Sequence, residues 1–181
     1  MVAPSDRDLI QRARRGETEA YGELVRRTQA AVFSVCFRVL GERREAEDLA
    51  QESFVRAWER LDTFDLERPF LPWIRRVAAN LCLNRIGARA PEAELDEERD
   101  QADDTAAPPR LAEQRDQAER VRAALLALPP RYRLVIELRH FQELSYDEIA
   151  ETMQRPLSDV KSDLFRARKL LAARLQDDPS V

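Results

Sequence analysis

The chain carries four glycines in 181 residues, two cysteines and one histidine, and each scarcity closes off a class of protein. So little glycine leaves no phosphate-cradling loop. Cys36 and Cys82 sit inside helical patterns without metal-ligand spacing, and His140 stands alone, so buried free thiols are expected rather than a metal centre. No nucleophile and base stand out as a pair, and the reading is of a protein without catalytic residues, metal or cofactor. Sustained β-branched alternation is also missing, which removes sheets as an organising element. Met1 to Arg15 holds no apolar run long enough for a signal peptide or a membrane span, so a cytoplasmic protein without membrane insertion is expected.

What the chain does have is helical periodicity nearly everywhere outside one segment. The expected fold is all-α: two small helical domains, residues 1–90 and 117–176, joined by a flexible acidic linker over 91–116. That linker holds ten acids against three arginines, a charge of -7; the chain's total is -4, so the rest amounts to +3. It also carries Pro91, Pro108 and Pro109 and almost no large apolar side chain, so it lacks the surface needed to order itself. A plain solvated tether explains it better than any specific binding role.

Before the linker, Ser5 with Asp8 opens a short helix bearing Leu9, Ile10 and Ala13. A second, from about Thr18 to Leu40, aligns Tyr21, Leu24, Val25, Val32, Val35, Cys36 and Val39. A third, from about Arg44 to Leu61, buries Ala46, Leu49, Ala50, Phe54, Ala57 and Leu61 and leaves Asp48, Gln51, Glu52 and Arg56 on its other surfaces. After an Asp62 to Pro69 loop, a fourth helix has Pro72 in its first turn and buries Phe70, Ile74, Val77 and Leu81. Its flank gathers Trp73, Arg76, Asn80 and Asn84, beside a loop carrying Phe64. An aromatic, a cation and two amides on one edge suit unpaired bases, which stack on aromatics and are read by amides. The residues alone favour a packed Trp73 beside solvated asparagines.

After the linker, Val121, Ala124, Leu125 and Leu128 form a helix ended by Pro129 and Pro130, and Tyr132, Val135, Ile136 and Leu138 form another. Leu144 to Leu175 then reads as two helices joined by a four-residue turn, Gln154 to Leu157. Ser145 and Glu148 make a capping box, and Ser158 or Asp159 is expected to cap the second helix. Val160, Leu164, Ala167 and Leu171 give that helix its apolar stripe, while Lys161, Ser162, Phe165, Arg166 and Lys169 occupy the opposite side. A polar-faced helix is often no more than a solvated surface. Phe165 argues otherwise, because packing gives an aromatic no reason to sit mid-way along a cationic face, whereas a thymine methyl or a sugar does. Asp163 must repel phosphate unless it has a partner; it is expected either to orient Arg166, or Arg168, or to accept a hydrogen bond from cytosine.

These residues resemble the extracytoplasmic-function sigma factors of bacterial RNA polymerase over nearly the whole chain. Ala46 to Trp58 (AEDLAQESFVRAW) resembles the polymerase-binding helix of sigma region two, and Phe70 to Asn80 (FLPWIRRVAAN) its promoter-melting element. Leu126 to Arg133 and Leu144 to Ala150 are similar to the opening of region four, and Val160-Lys161-Ser162 with Arg166-Ala167-Arg168 to its recognition helix. The resemblance implies a factor whose partners are core RNA polymerase, promoter DNA and an anti-sigma factor. It implies that Asp48, Gln51 and Glu52, with Phe54 of the same motif, dock on the clamp helices of the polymerase largest subunit. For the -10 element it implies Phe64, Trp73, Arg75, Arg76, Asn80 and Asn84, with the Asp62 to Pro69 loop and Asn80 capturing a flipped base. For the -35 element it implies Lys161, Ser162, Asp163, Phe165, Arg166, Arg168 and Lys169. The chain departs from the family pattern at Ser158 and Asp159, where Gly-Thr is usual, at Asp163, where arginine is common, and after Asn84, where the basic run shrinks to Arg85 and Arg89. A dimeric helix-turn-helix regulator and a protein-binding helical adaptor are the rival readings.

Overall fold

The computed structural model describes residues 4–89 and 112–176, and among them every regular element is helical. The expected acidic linker lies outside the described residues except at 112–116, whose backbone already belongs to a helix. Ala112, Glu113, Gln114 and Arg115 are strong helix formers whatever their charge. Two compact units divide the chain, Met1–Cys82 and Leu83–Val181.

In the first unit α1 (Asp6–Arg14) starts at Ser5 and Asp8 as expected, and the two close a capping box: the Asp8 amide donates to Ser5 Oγ at 3.2 Å while the Ser5 amide donates to Asp8 Oδ2 at 3.3 Å. α2 (Thr18–Leu40) packs on α1 and on α3 (Arg43–Glu59). Leu24, Val32, Val35, Cys36 and Val39 of α2 are wholly buried, and α3 answers with the small side chains Ala46, Ala50, Ser53 and Ala57. Leu24→Ala there would cost about 2–5 kcal/mol. Gly41 stops α2 with φ 80°, a left-handed conformation that a side chain would strain. Glu42 then caps α3, accepting from the Arg44 and Glu45 amides at 2.8 and 2.6 Å.

α3 stops at Glu59, short of the expected Leu61, and a 3-10 turn, Leu61–Thr63, follows. α4 (Phe70–Arg89) buries Phe70, Ile74, Ala78, Ala79 and Cys82, whereas Val77 and Leu81 are only half-buried. The expected stripe was thus set too far round the helix. Small Ala78 and Cys82, not the larger Val77 and Leu81, meet the crowded interior.

The second unit comprises α5 (Ala112–Leu126), α6 (Pro130–Ile136), α7 (Tyr146–Met153) and α8 (Leu157–Gln176), with α8 packed on the other three. Pro130 opens α6 at a position where the missing amide costs nothing. α6 widens into a π turn, Glu137–Phe141, in which the Gln142 amide donates to the Glu137 carbonyl at 3.1 Å. That extra residue keeps Leu138 wholly buried while leaving Phe141 43% exposed. Arg133 and Glu137 are both buried, and desolvation pushes the Arg133 guanidinium down to about 10.

Candidate nucleic-acid interface

α7 and α8 form the expected helix-turn-helix. The Glu148 amide donates to Ser145 Oγ at 3.2 Å and the Ser145 amide to Glu148 Oε2 at 2.8 Å, closing the capping box. α7 ends on Gln154, whose φ of 51° reverses the chain. α8 begins at Leu157, so Ser158 and Asp159 lie in its first turn and neither is the cap; the Pro156 carbonyl instead takes the Asp159 and Val160 amides at 3.0 and 3.2 Å. Val160, Leu164 and Ala167 are buried as expected, and Leu171 is half-buried. On the far side Lys161, Ser162, Phe165, Arg166 and Lys169 line one shallow concave patch. Phe165 is 70% exposed at its centre, so this aromatic has no packing role within its unit.

Asp163 does not belong to that patch. It is 2% exposed; its Oδ1 accepts from Arg131 Nη2 at 2.8 Å, and its Oδ2 accepts from Arg155 Nη1. Arg155 Nη2 also donates to Asp159 at 3.1 Å. The expected orientation of Arg166, like the expected reading of cytosine, is therefore overturned. Asp163 is buried because, at about 100° per residue, it sits only some 60° from Val160, at the edge of the apolar stripe. Its charge is met by one guanidinium from the start of α6 and one from the turn before α8. Arg168 also leaves the patch: exposed, it places Nη2 3.4 Å from His140 Nε2 on the π turn. Partial burial, and then the Arg168 and Arg139 charges, hold the His140 imidazole below its ordinary value.

On α4, Asn80 and Asn84 are exposed and Trp73 is half-buried, all on one flank at i, i+7 and i+11. Arg76 is half-buried beside them. Arg75 stands roughly 160° round the helix from Trp73, half-buried with its Nε buried and unpartnered, and does not share that flank. Phe64 is a second correction. At 5% exposure it packs its ring 4.8 Å from Trp73 and 5.9 Å from Phe70, so it is the floor under Trp73 rather than a base-stacking surface. The cluster fixes the Trp73 ring in place, while the loop tip, Asp65 and Glu67 to Pro69, is exposed.

On α3, Asp48 and Gln51 are exposed and Glu52 is half-buried, 3.7 Å from Arg56. Phe54 is half-buried, and its carbonyl accepts the Tyr21 hydroxyl at 2.5 Å. Among the described residues no group of three or more His, Cys, Asp or Glu could hold a metal, and no helix is long and apolar enough to cross a membrane.

Residues 24–91 match the family model of Sigma-70 region 2, and residues 118–171 that of Sigma-70, region 4. Over 178 residues the chain is 33% identical to the ECF RNA polymerase sigma factor SigW of Bacillus subtilis (strain 168), covering 93% of this chain and 95% of that one. The chain belongs to the extracytoplasmic-function sigma factors of bacterial RNA polymerase. Among solved structures, CnrH in complex with the cytosolic domain of CnrY is 29% identical with a TM-score of 0.59, covering 97% of this chain and 99% of that one. The fold is shared as well by the sigma factor RpoE of Bartonella quintana, 22% identical with a TM-score of 0.62, covering 87% and 98%.

On α3 of this sigma factor two exposed apolar side chains stand outside the sequence-based expectation. Val55, 57% exposed, and Trp58, 39% exposed, lie on α3 close to the acids. At i+7 from Asp48 and i+3 from Glu52, Val55 shares their face about one turn beyond Glu52. The signal was available: Val55 interrupts an otherwise polar face, as Phe165 does on α8. Tyr21 packs edge-on against Trp58 at 4.8 Å, and its burial pushes the phenol pKa up.

Proposed function

We infer that, as a sigma factor, the chain binds core RNA polymerase and directs promoter-specific initiation through -10 and -35 recognition. We propose the following division of that work among its surfaces. Lys161, Ser162, Phe165, Arg166 and Lys169 read the -35 element in the major groove, with cations on phosphate and guanine and Phe165 on a thymine methyl. Trp73, Asn80 and Asn84, with Arg76 on their flank and the Asp62 to Pro69 loop, hold the opened -10 strand. Asp48, Gln51, Glu52 and Val55 dock on the polymerase, a polar face ending in one apolar contact. The working divisions are residues 1–90, 91–116 and 117–176. The protein works in the cytoplasm and does no bond chemistry of its own. An anti-sigma factor is the third partner; the Bartonella RpoE was determined in complex with one, NepR.

The observation that carries the DNA assignment is Phe165, 70% exposed in a concavity that contains two lysines and an arginine and no acid. Sequencing the transcripts that purified protein and core enzyme start on a genomic template tests it. Shared -35 and -10 sequences upstream of those starts are expected, absent with core enzyme alone. Specific duplex binding by the isolated chain, with no core-dependent starts, would instead favour a helix-turn-helix regulator; neither result would favour the adaptor.

A further inference from the structure

Arg14, the last residue of α1, belongs to none of these three surfaces, yet it is joined to one of them. Its Nε donates to the Leu61 carbonyl at 2.9 Å and its Nη2 donates to the Phe64 carbonyl, so one guanidinium grips both ends of the 3-10 turn. Phe64 then lays its ring 4.8 Å from Trp73. A continuous series of contacts therefore runs from α1 through the loop backbone to the flank of α4. The Arg7 to Glu67 ion pair, at 2.9 Å between α1 and this loop, has side chains 55% and 75% exposed and fixes little. Beyond Phe64 the loop has local support: the Glu67 amide donates to Asp65 Oδ1 at 3.0 Å. Arg14 suits the task because a planar fork reaches two carbonyls at once, which a lysine ammonium on one flexible stem does not.

We propose that Arg14 is a positioning residue for strand opening. It touches no DNA. It sets the register of the Leu61 to Pro69 loop against α4, so that the loop, Trp73 and Asn80 meet an extruded base as one surface already in place, and the cost of ordering the loop is met before DNA arrives. This rests on the assignment of that surface to the -10 element.

The test uses holoenzyme carrying Arg14→Ala, Arg14→Lys or Asn80→Ala on two templates, a duplex promoter and the same promoter with a preformed bubble over the -10 element. Arg14→Ala should form closed complexes like the wild type, open the duplex about tenfold more slowly by permanganate reactivity, and initiate on the bubble at close to the wild-type rate. Arg14→Lys should fall between, and it carries the same comparison if Arg14→Ala loses helicity. Equal slowing on both templates, or an equal loss of closed complex, would reduce Arg14 to a general stabiliser and overturn the proposal. Normal opening by Arg14→Ala with slow opening by Asn80→Ala would overturn it too, leaving the -10 surface standing. Normal opening by all three variants would overturn both.

Discussion

A carboxylate on a DNA-reading helix costs binding energy unless something removes it from the phosphates, and Asp163 is removed by burial between two arginines. Its two partners come from other elements, 32 residues away at Arg131 and 8 away at Arg155. Periodicity carries no trace of such pairs, which is why the sequence suggested the nearby Arg166. Asp163→Ala should lower unfolding stability by about 1–3 kcal/mol, since Arg131 and Arg155 lose the carboxylate between them and Arg155 keeps only Asp159. Folded holoenzyme should keep its base preferences. A promoter-library selection in which the variant changed preference at one -35 position would return Asp163 to base reading. His140 offers a cleaner measurement, being the chain's one histidine. Its proton is held less firmly in the folded state than in the unfolded one, so its contribution to stability is full above the ordinary value of 6.5 and declines as pH falls below it. An NMR titration should show a single histidine midpoint under 6.5, moving up in Arg168→Ala; a midpoint unchanged in that variant would exclude the Arg168 contribution.

Local elements were legible because their signals span only a few residues. Both serine capping boxes, the α2 bounds and the α7–turn–α8 unit emerge from side chains three or four positions apart, the range in which one helix face declares itself. What escaped was set by contacts between elements. Phe64 read as a loop aromatic free for bases, whereas Trp73 and Phe70 draw it inward; the π turn follows from how α6 must present Leu138 to the core. Of the two surfaces marked by a misplaced apolar residue, Phe165 stands out as a lone aromatic among cations, whereas the smaller Val55 is masked by the charges around it on α3. The α3 face gives the element-scale prediction. Asp48→Arg with Glu52→Arg should weaken core binding without loss of helicity, since neither side chain is among the buried residues of α3. Val55→Asp should weaken it by a similar route, desolvating a charge at the contact. Retained core affinity in a pull-down, with unchanged circular dichroism, would remove this face from the interface.

At the scale of the whole chain, net charge and function pull in opposite directions. A protein at -4 should be repelled by DNA, and the conflict resolves only when residues 91–116, at -7, are set apart from a remainder at +3. Eight of the ten acids fall within residues 92–104, and replacing those eight with Ser or Gln would shift the net charge from -4 to +4. Such a change acts on two processes with opposite consequences. Through long-range attraction alone it would raise duplex binding by the isolated chain, an effect that fades as salt shortens the screening length to about 10 Å at 0.1 M. We propose that in holoenzyme the segment enters a basic channel of the polymerase, a channel that the family resemblance implies and that otherwise holds nascent RNA, so that its acids would compete with the transcript. The neutralised variant is therefore expected to bind promoters in holoenzyme nearly as the wild type does, but to change how early transcripts are released. The ratio of abortive to full-length product, measured across a salt series, separates the two effects: a change that disappears as salt rises with promoter occupancy belongs to simple attraction, and one that persists at equal occupancy belongs to the channel. An unchanged ratio at every salt concentration would leave the acids with no role beyond keeping a tether solvated.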